Sequence, residues 1–161
     1  MLPHAVSIHS APPLDASARC EPILRSVPEW FGIEEATRGY IAAASRLPTW
    51  IACVEGRDAG FITLEQHFPQ AAEIHCIAVH RDFHGHGVGT ALVRHAESVL
   101  QADAVRFLQV KTMGPSKPNK GYALTLRFYL HVGFTPLEEL SGLWPGMPCL
   151  ILVKKLGCPS P

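Results

Sequence analysis

The sequence lacks the features that mark several large classes of protein. It has no apolar run near the ~20 residues that span a bilayer, and its first ten residues have neither the basic start nor the long apolar core of a secretory signal. Its 14 lysines and arginines balance its 14 aspartates and glutamates, so no long-range field attracts nucleic acid or an anionic membrane. We therefore expect a cytoplasmic protein with neither a nucleic acid nor a membrane as its partner.

Cysteine-based and metal-based frameworks are missing as well. None of the five cysteines belongs to a C-x-x-C pair, which favours reduced thiols over disulfides or a cysteine zinc site. His80 and His84 have a spacing that would suit two zinc ligands on a helix, but they fall in a predicted strand and loop. We therefore expect no metal. The cysteines are Cys20, Cys53, Cys76, Cys149 and Cys158.

Length and patterning predict one α/β domain. A chain of 161 residues with an apolar fraction of 47% suits a single core, and we place the domain over residues 1–161 with its core in residues 5–155. Alternating and helical periodicities, separated by glycine and proline, predict the order β-α-α-β-β-β-α-β-α-β-β. Glycine-containing segments predict a hairpin turn at residues 55–58 and a loop at residues 142–148.

One stretch combines a strand, a glycine-rich turn and a helix. Residues 73–79 end in an apolar run, as a strand covered on both faces would, and helical periodicity begins at Val88. Between them Gly85, Gly87 and Gly89 stand at alternate positions, where the lack of a Cβ permits positive φ and close approach of a ligand. A helix that begins on glycines presents unpaired N–H groups and the positive end of its dipole, which suits a phosphate. The alternative is a tight strand-to-helix turn without a ligand.

This stretch resembles motif A of the GNAT family of acetyl-CoA-dependent N-acetyltransferases, which is usually written Arg/Gln-x-x-Gly-x-Gly/Ala. Gly87 and Gly89 match the glycines of that motif, and His84 takes the place of its arginine or glutamine. Farther along, residues 128–134 read Phe-Tyr-Leu-His-Val-Gly-Phe, which resembles the Phe-Tyr-x-x-x-Gly-Phe ending of motif B. The resemblance covers residues 5–155 and points to a bacterial branch of the family.

The resemblance implies a mixed α/β fold with a central, mostly antiparallel sheet that splays at its fourth and fifth strands and is flanked by helices. It implies direct transfer of an acetyl group from acetyl-CoA, the co-substrate, to a primary amine of a small molecule or peptide in a ternary complex. No metal is expected to take part, and the protein is expected to be a monomer or a homodimer. A non-catalytic module that binds and senses acyl-CoA is the alternative.

The resemblance assigns the cofactor chiefly to main-chain groups. In the family, amides equivalent to those of residues 85–90 bind the pyrophosphate, the N–H of Ile77 would meet the acetyl oxygen, and Val79 would pair with the pantetheine amides. Motif B usually carries an asparagine where this chain has Tyr122, although Asn119 lies nearby. The expected cofactor residues are Ile77, Ala78, Val79, His84, Gly85, His86, Gly87, Val88, Gly89, Thr90, Tyr122 and Thr125.

Two side chains are predicted to move protons. Glu73 stands where histone-acetylating members keep a glutamate base, and a half-buried position would raise its pKa; His75 and Glu65 are the alternatives. Strand alternation places Glu73, His75 and Ile77 on one face. Tyr129 matches the motif B tyrosine that acts as general acid in many members, because a phenol can protonate a thiolate. The alternative for Tyr129 is a core tyrosine.

The acceptor pocket is expected beside the first two helices, which shape it in the family. The resemblance points to Glu29, Trp30 and Phe31, with His75, as substrate residues, and Tyr40 is a further candidate. Exposed aromatic rings beside one carboxylate would suit a small cationic amine through cation–π and ionic attraction. The alternative is that these rings close one end of the core.

Overall fold

The computed structural model describes residues 5–157. The two ends of the predicted domain, residues 1–4 and 158–161, lie outside that range, as does Cys158. None of the helices within the range combines the length and the apolar character needed to cross a membrane. The strands are β1 (Val6–Ser10), β2 (Thr49–Val54), β3 (Arg57–Phe68), β4 (Ala71–Val79), β5 (Phe107–Met113), β6 (Thr135–Trp144) and β7 (Met147–Lys155). The helices are α1 (Pro13–Arg25), α2 (Glu34–Ala44), α3 (Val88–Ala102) and α4 (Lys120–His131).

The strands form one mixed sheet in the order β1-β2-β3-β4-β5-β7-β6. The pairs β1–β2, β2–β3, β5–β7 and β6–β7 are antiparallel, whereas β4 and β5 run parallel because a helix, α3, connects them. The parallel ladder joins residues 71–74 to residues 107–110 and ends there, although both strands continue. The predicted α/β class and the splay at the fourth and fifth strands are therefore confirmed.

The described residues group into two compact units. The first contains the chain up to Glu65 together with His75–Val99, and the second contains Gln66–Ile74 together with the chain from Leu100. Strands β3 and β4 each contribute residues to both units. The assignment of the whole chain to one N-acetyltransferase domain stays a prediction.

The core of the first unit lies against helix α1, which begins at Pro13. Proline suits this position because the first turn of a helix leaves its N–H groups unpaired. The buried residues of α1 recur every three or four positions and pack on side chains from β2, β3 and β4. Burial raises the pKa of the Cys20 thiol to about 12, so this thiol stays protonated at neutral pH. The cluster consists of Ala11, Ala16, Cys20, Ile23, Leu24, Ala44, Ile51, Phe61, Cys76 and Ala78.

The hairpin between β2 and β3 is tighter than predicted. Its turn consists of Glu55 and Gly56, whose φ angles are 50° and 76°. Positive φ at both central residues is the geometry of a two-residue hairpin turn that follows the twist of the strands. The prediction of a turn over residues 55–58 was therefore too long, because β3 already begins at Arg57.

The predicted loop at residues 142–148 was too long, because only residues 145–146 separate β6 from β7. Strand β6 continues to Trp144, which pairs with Met147 of β7. Gly142 has a φ of 93° and lies where the register between the two strands shifts, after Leu140. This glycine therefore marks a β-bulge inside a strand, which sequence alone does not distinguish from a loop.

Candidate active site

The turn between β4 and α3 contains two glycines with positive φ. His80 N donates to the carbonyl of Ala59 at 2.8 Å, and a single 3-10 turn, Arg81–Phe83, follows. Gly85 and Gly87 have φ angles of 78° and 76°, and a Cβ at either position would meet nothing within 4 Å. The predicted positive φ is confirmed for these two glycines. The open space around them fits a turn that a ligand approaches closely.

Helix α3 begins directly after this turn and supplies N–H groups. Its first backbone bond runs from Ala91 N to Gly87 O at 3.0 Å, so the amides of Val88, Gly89 and Thr90 precede the first intrahelical donor. They lie at the positive end of a 15-residue helix. Gly89 belongs to this first helical turn, so, unlike Gly85 and Gly87, it does not adopt a positive φ. Adjacent amides of this kind can hold a phosphate or a diphosphate.

The two histidines of the turn are engaged locally. His84 Nε2 lies 2.9 Å from the carbonyl oxygen of Val79, and because a carbonyl only accepts, Nε2 carries the hydrogen. A contact between this imidazole and a cofactor phosphate would therefore have to use Nδ1. His86 N donates to the carbonyl of Phe83 at 3.4 Å, so one amide of the predicted phosphate site is already used within the turn.

Glu73 is a buried, fully paired carboxylate in the second unit. Its side chain is 9% exposed. Lys111 Nζ lies 2.9 Å from both carboxylate oxygens, and His67 Nε2 and Gln109 Nε2 lie 2.7 and 3.1 Å from Oε2. Burial by itself would raise the pKa of Glu73, but the hydrogen bonds from Lys111, His67 and Gln109 outweigh it and lower the pKa. The predicted rise in the pKa of Glu73 was therefore wrong.

The partners of Glu73 were missed by the sequence reasoning. Gln109 stands opposite Glu73 in the parallel ladder, and Lys111 lies two residues farther along the same strand. The available signal was that these two polar residues alternate with the apolar residues Leu108 and Val110 in the predicted strand. Which strand they face depends on the sheet order, and periodicity alone does not reveal that order.

His75 and Glu65 form a second histidine–carboxylate pair, in the first unit. His75 Nδ1 lies 3.3 Å from Glu65 Oε2, and the two side chains are 29% and 39% exposed. The ring of Tyr40 packs edge-on against the imidazole, with centroids 5.7 Å apart. The ring of Phe31 packs edge-on against Tyr40 at the same separation. The structure therefore brings together two alternative base candidates and two predicted acceptor residues.

Arg81 contacts the segment before α2 that was predicted to bind the acceptor, residues 29–31. Its guanidinium donates to both carboxylate oxygens of Glu29 at 2.5 Å and to the carbonyl of Ser26 at 2.9 Å, and this pairing lowers the pKa of Glu29. Trp30 packs edge-on against His84, with centroids 6.0 Å apart. A cationic amine would have to compete with Arg81 for Glu29. Arg81 was not among the predicted residues, because its partner is 52 positions away in the chain.

Tyr129 is buried on helix α4 of the second unit. The residue is 5% exposed, and its ring packs against Phe128 and Phe134 with centroid separations of 5.4 and 5.7 Å. The burial agrees with the core alternative, and a hydroxyl in an apolar surrounding also suits a proton donor. The catalytic role of Tyr129 stays a prediction.

Asn119 caps the start of α4, close to Tyr122, which stands where motif B usually carries an asparagine. Asn119 is the N-cap of the helix, and its Oδ1 accepts from Tyr122 N at 3.1 Å. Thr125 Oγ donates to the carbonyl of Gly121 at 3.3 Å, and burial raises the pKa of Tyr122. Asn119 therefore has a local structural partner, which satisfies one of the unpaired N–H groups at the helix start.

Sequence comparison relates the chain to one family. A sequence model described as acetyltransferase (GNAT) domain matches residues 45–136. An uncharacterised N-acetyltransferase of Methanocaldococcus jannaschii is 30% identical over 95 residues, which are 55% of this chain and 39% of that protein. The match therefore spans well under half the length of that relative.

Solved structures share the fold over nearly the whole chain. A GNAT-family protein from Desulfovibrio desulfuricans matches with a TM-score of 0.83 at 18% identity, covering 95% of this chain and 100% of that one. A GNAT acetyltransferase from Elizabethkingia anophelis, solved with acetyl-CoA bound, matches with a TM-score of 0.69 at 18% identity, covering 94% and 98%. At such low identity the likeness concerns the fold.

Proposed function

The chain belongs to the GNAT acetyltransferase family, whose domain model matches more than half of its residues, and on that premise we propose that it transfers an acetyl group from acetyl-CoA to a primary amine. The acceptor is a small molecule or a peptide, and its nitrogen attacks the thioester directly in a ternary complex. One observation carries the proposal. The turn after β4 combines two left-handed glycines, open space around them and the unpaired amides of a helix start.

The residues of this turn fit a diphosphate. The amides of Val88, Gly89 and Thr90 are directed along the axis of α3 toward its N-terminus, where the helix dipole favours negative charge. Gly85 and Gly87 leave the approach open because no Cβ stands in front of the backbone. Bound acetyl-CoA would supply the activated acetyl group.

Strand β4 is the proposed site of thioester activation. Its ladder with β5 ends at Ile74, and residues 75–79 continue the strand beyond that point. Ile77 N–H would donate to the acetyl oxygen and stabilise the negative charge that develops there during attack. Ala78 and Val79 would lie along the pantetheine, with the Val79 carbonyl already accepting from His84.

Tyr129 is proposed to protonate the leaving thiolate. Tyr129→Phe should lower kcat about 10²-fold, the scale of general acid catalysis, while the Kd for CoA stays unchanged. Stopped-flow detection of the released thiol gives kcat, and isothermal titration calorimetry gives the Kd. Phe134→Leu serves as the control, because it loosens the same ring packing and keeps the hydroxyl. An unchanged kcat in Tyr129→Phe would remove Tyr129 from the mechanism.

A non-catalytic acyl-CoA sensor is the second candidate. The observation that favours it is that both side chains first predicted to move protons are engaged structurally, since Glu73 is ion-paired and Tyr129 is packed between two rings. A sensor needs the phosphate-binding turn but no proton acceptor.

The two candidates are separated by binding and turnover measured on the same preparation. Calorimetry with CoA and with acetyl-CoA should show saturable binding, and a thiol-reactive dye should report CoA release when primary amines are added. Saturable binding without thiol release across small amines, amino acids and peptides would favour the sensor. No heat from either ligand would overturn both candidates.

A further inference from the structure

We propose that His75, positioned by Glu65, is the base that takes the proton from the acceptor amine. The assignment rests on the proposed function and adds to it the identity of the proton acceptor. A primary ammonium such as that of lysine has a reference pKa of ~10.4, so most of the acceptor arrives protonated at neutral pH. Its nitrogen has no lone pair with which to attack until a base removes that proton.

The contact with Glu65 sets which imidazole nitrogen is available. Glu65 Oε2 lies 3.3 Å from His75 Nδ1, and a negatively charged carboxylate attracts an N–H group rather than a ring lone pair, so this contact favours the tautomer that carries its proton on Nδ1. The lone pair then lies on Nε2. Within residues 5–157 no hydrogen bond is made to Nε2 of His75, and the 29% exposure of this side chain leaves room for a substrate to reach it.

Packing fixes the plane of the imidazole. The Tyr40 ring meets it at an interplanar angle of 71°, and Phe31 meets Tyr40 at 89°. Such edge-to-face contacts are preferred geometries for aromatic rings. A carboxylate from β3 and a phenol ring from α2 therefore face His75 and hold its imidazole.

Position on the strand places His75 near the proposed reaction centre. His75 and Ile77 are two residues apart on β4 and share one face by alternation. At about 3.3 Å per residue they are separated by roughly 7 Å along the strand. A nitrogen bound between the imidazole and the acetyl group held by Ile77 N–H would lie within reach of both.

Glu73, the base first expected, is poorly placed for this step. Three nitrogen donors already occupy its two oxygens, and its side chain is 9% exposed. Accepting a further proton would break its ion pair with Lys111. Among the ion pairs of residues 5–157, His75 is paired with the carboxylate of Glu65 and with no lysine or arginine. Its partly exposed position suits proton exchange with solvent.

The proposed acetyl transfer conserves protons and bonds. The ammonium gives one proton to His75 Nε2, and the freed lone pair forms the bond between nitrogen and the acetyl carbon. The bond between that carbon and sulfur breaks, and the CoA thiolate leaves and is protonated, in the proposed function by Tyr129. The nitrogen, now bonded to the acetyl carbon, loses its second proton to solvent and becomes the neutral amide nitrogen. The imidazolium returns its proton to solvent, and Tyr129 regains a proton from solvent, so one proton is released for each acetyl group transferred.

The test compares His75→Gln with a matched variant, His67→Gln, which removes the histidine of the other pair. His75→Gln should lower kcat at pH 7 by about 10²-fold or more, with the Kd for CoA from calorimetry unchanged. The deficit should shrink as the pH rises toward the pKa of the amine, because the neutral amine then forms without a base. His67→Gln should keep the wild-type kcat.

Glu65→Gln supplies the second variant, and it acts through His75. It should lower kcat by about 10-fold and leave the KM for the amine unchanged, since an amide orients the imidazole less well and does not stabilise the proton that the imidazole takes up during the reaction. Wild-type kcat in His75→Gln at pH 7, in protein that still binds CoA, would overturn the base assignment alone. No thiol release by the wild type with any amine would instead overturn the proposed function on which the assignment rests.

Discussion

Strands β3 and β4 carry two histidine–carboxylate pairs whose surroundings differ. In the pair His67–Glu73 the carboxylate is buried and also accepts from Lys111 and Gln109. In the pair His75–Glu65 both side chains are partly exposed, and aromatic rings rather than a cation pack beside them. Lys111 makes the difference, because it commits the first carboxylate to an ion pair, whereas the second remains available to orient an imidazole.

The comparison shows that residue types alone do not assign a base. Both pairs offer one histidine and one glutamate, and each pair has one member on β3 and one on β4. A buried carboxylate that holds an ammonium resists protonation, because protonation would break the ion pair. A half-exposed imidazole beside a carboxylate can accept and release a proton near neutral pH.

Removing Lys111 should have the largest effect on stability. Lys111→Met would leave Glu73 as a buried, uncompensated charge, which costs about 3 kcal/mol of unfolding free energy, the lower end of the usual range because the lysine is 28% exposed. Urea denaturation measures the change, and Lys155→Met, at an exposed position on β7, is the control. A loss no greater than that of the control would mean that Glu73 does not depend on its cation.

Acid should destabilise the folded protein in part through Glu73. Its pKa is lowered from the ordinary glutamate value of 4.5, so its stabilising effect is complete above that value and is lost as the pH falls through the folded-state pKa. The stability difference between wild type and Glu73→Gln should therefore shrink toward low pH, by at most about 1.4 kcal/mol per pH unit. Urea titrations between about pH 3 and pH 7 measure it. A difference that stays constant over this range would contradict the lowered pKa.

Glu65→Gln should have the smallest effect on stability. Its side chain is 39% exposed and lies 3.3 Å from the imidazole of His75, so the unfolding free energy should change by no more than about 0.5 kcal/mol. The same variant is expected to lose activity, as described above. A large loss of stability would mean that the pair His75–Glu65 stabilises the fold. It would then not differ in this respect from the pair His67–Glu73.

Local rules predicted much of the fold and part of the site. The helix that begins at Val88 and the positive φ of Gly85 and Gly87 follow from periodicity and from the lack of a Cβ, which are properties of neighbouring residues. The pairing of Glu73 with Lys111 depends on which strands are adjacent, and adjacency is a property of the whole sheet. The bulge at Gly142 was taken for a loop because glycine occurs in both.

The predicted acceptor residues also show that local sequence patterns do not reveal contacts between distant parts of the chain. Glu29, Trp30 and Phe31 were predicted as acceptor residues from their position before the second helix, and the structure places Phe31 near His75 through Tyr40. The pairing of Glu29 with Arg81 joins residues 52 positions apart, so no local pattern could show that its charge is already matched.

The tautomers of the two histidines test the account most directly, without substrate or cofactor. Long-range ¹H–¹⁵N NMR spectra at about pH 8.5, two units above the reference imidazole pKa of ~6.5, report which ring nitrogen carries the proton, and His67→Gln and His75→Gln assign the signals. We predict the proton on Nδ1 of His75, which faces Glu65, and on Nε2 of His67, which faces Glu73. A proton on Nε2 of His75 would remove the lone pair from the nitrogen that the proposed reaction requires, and would contradict the account.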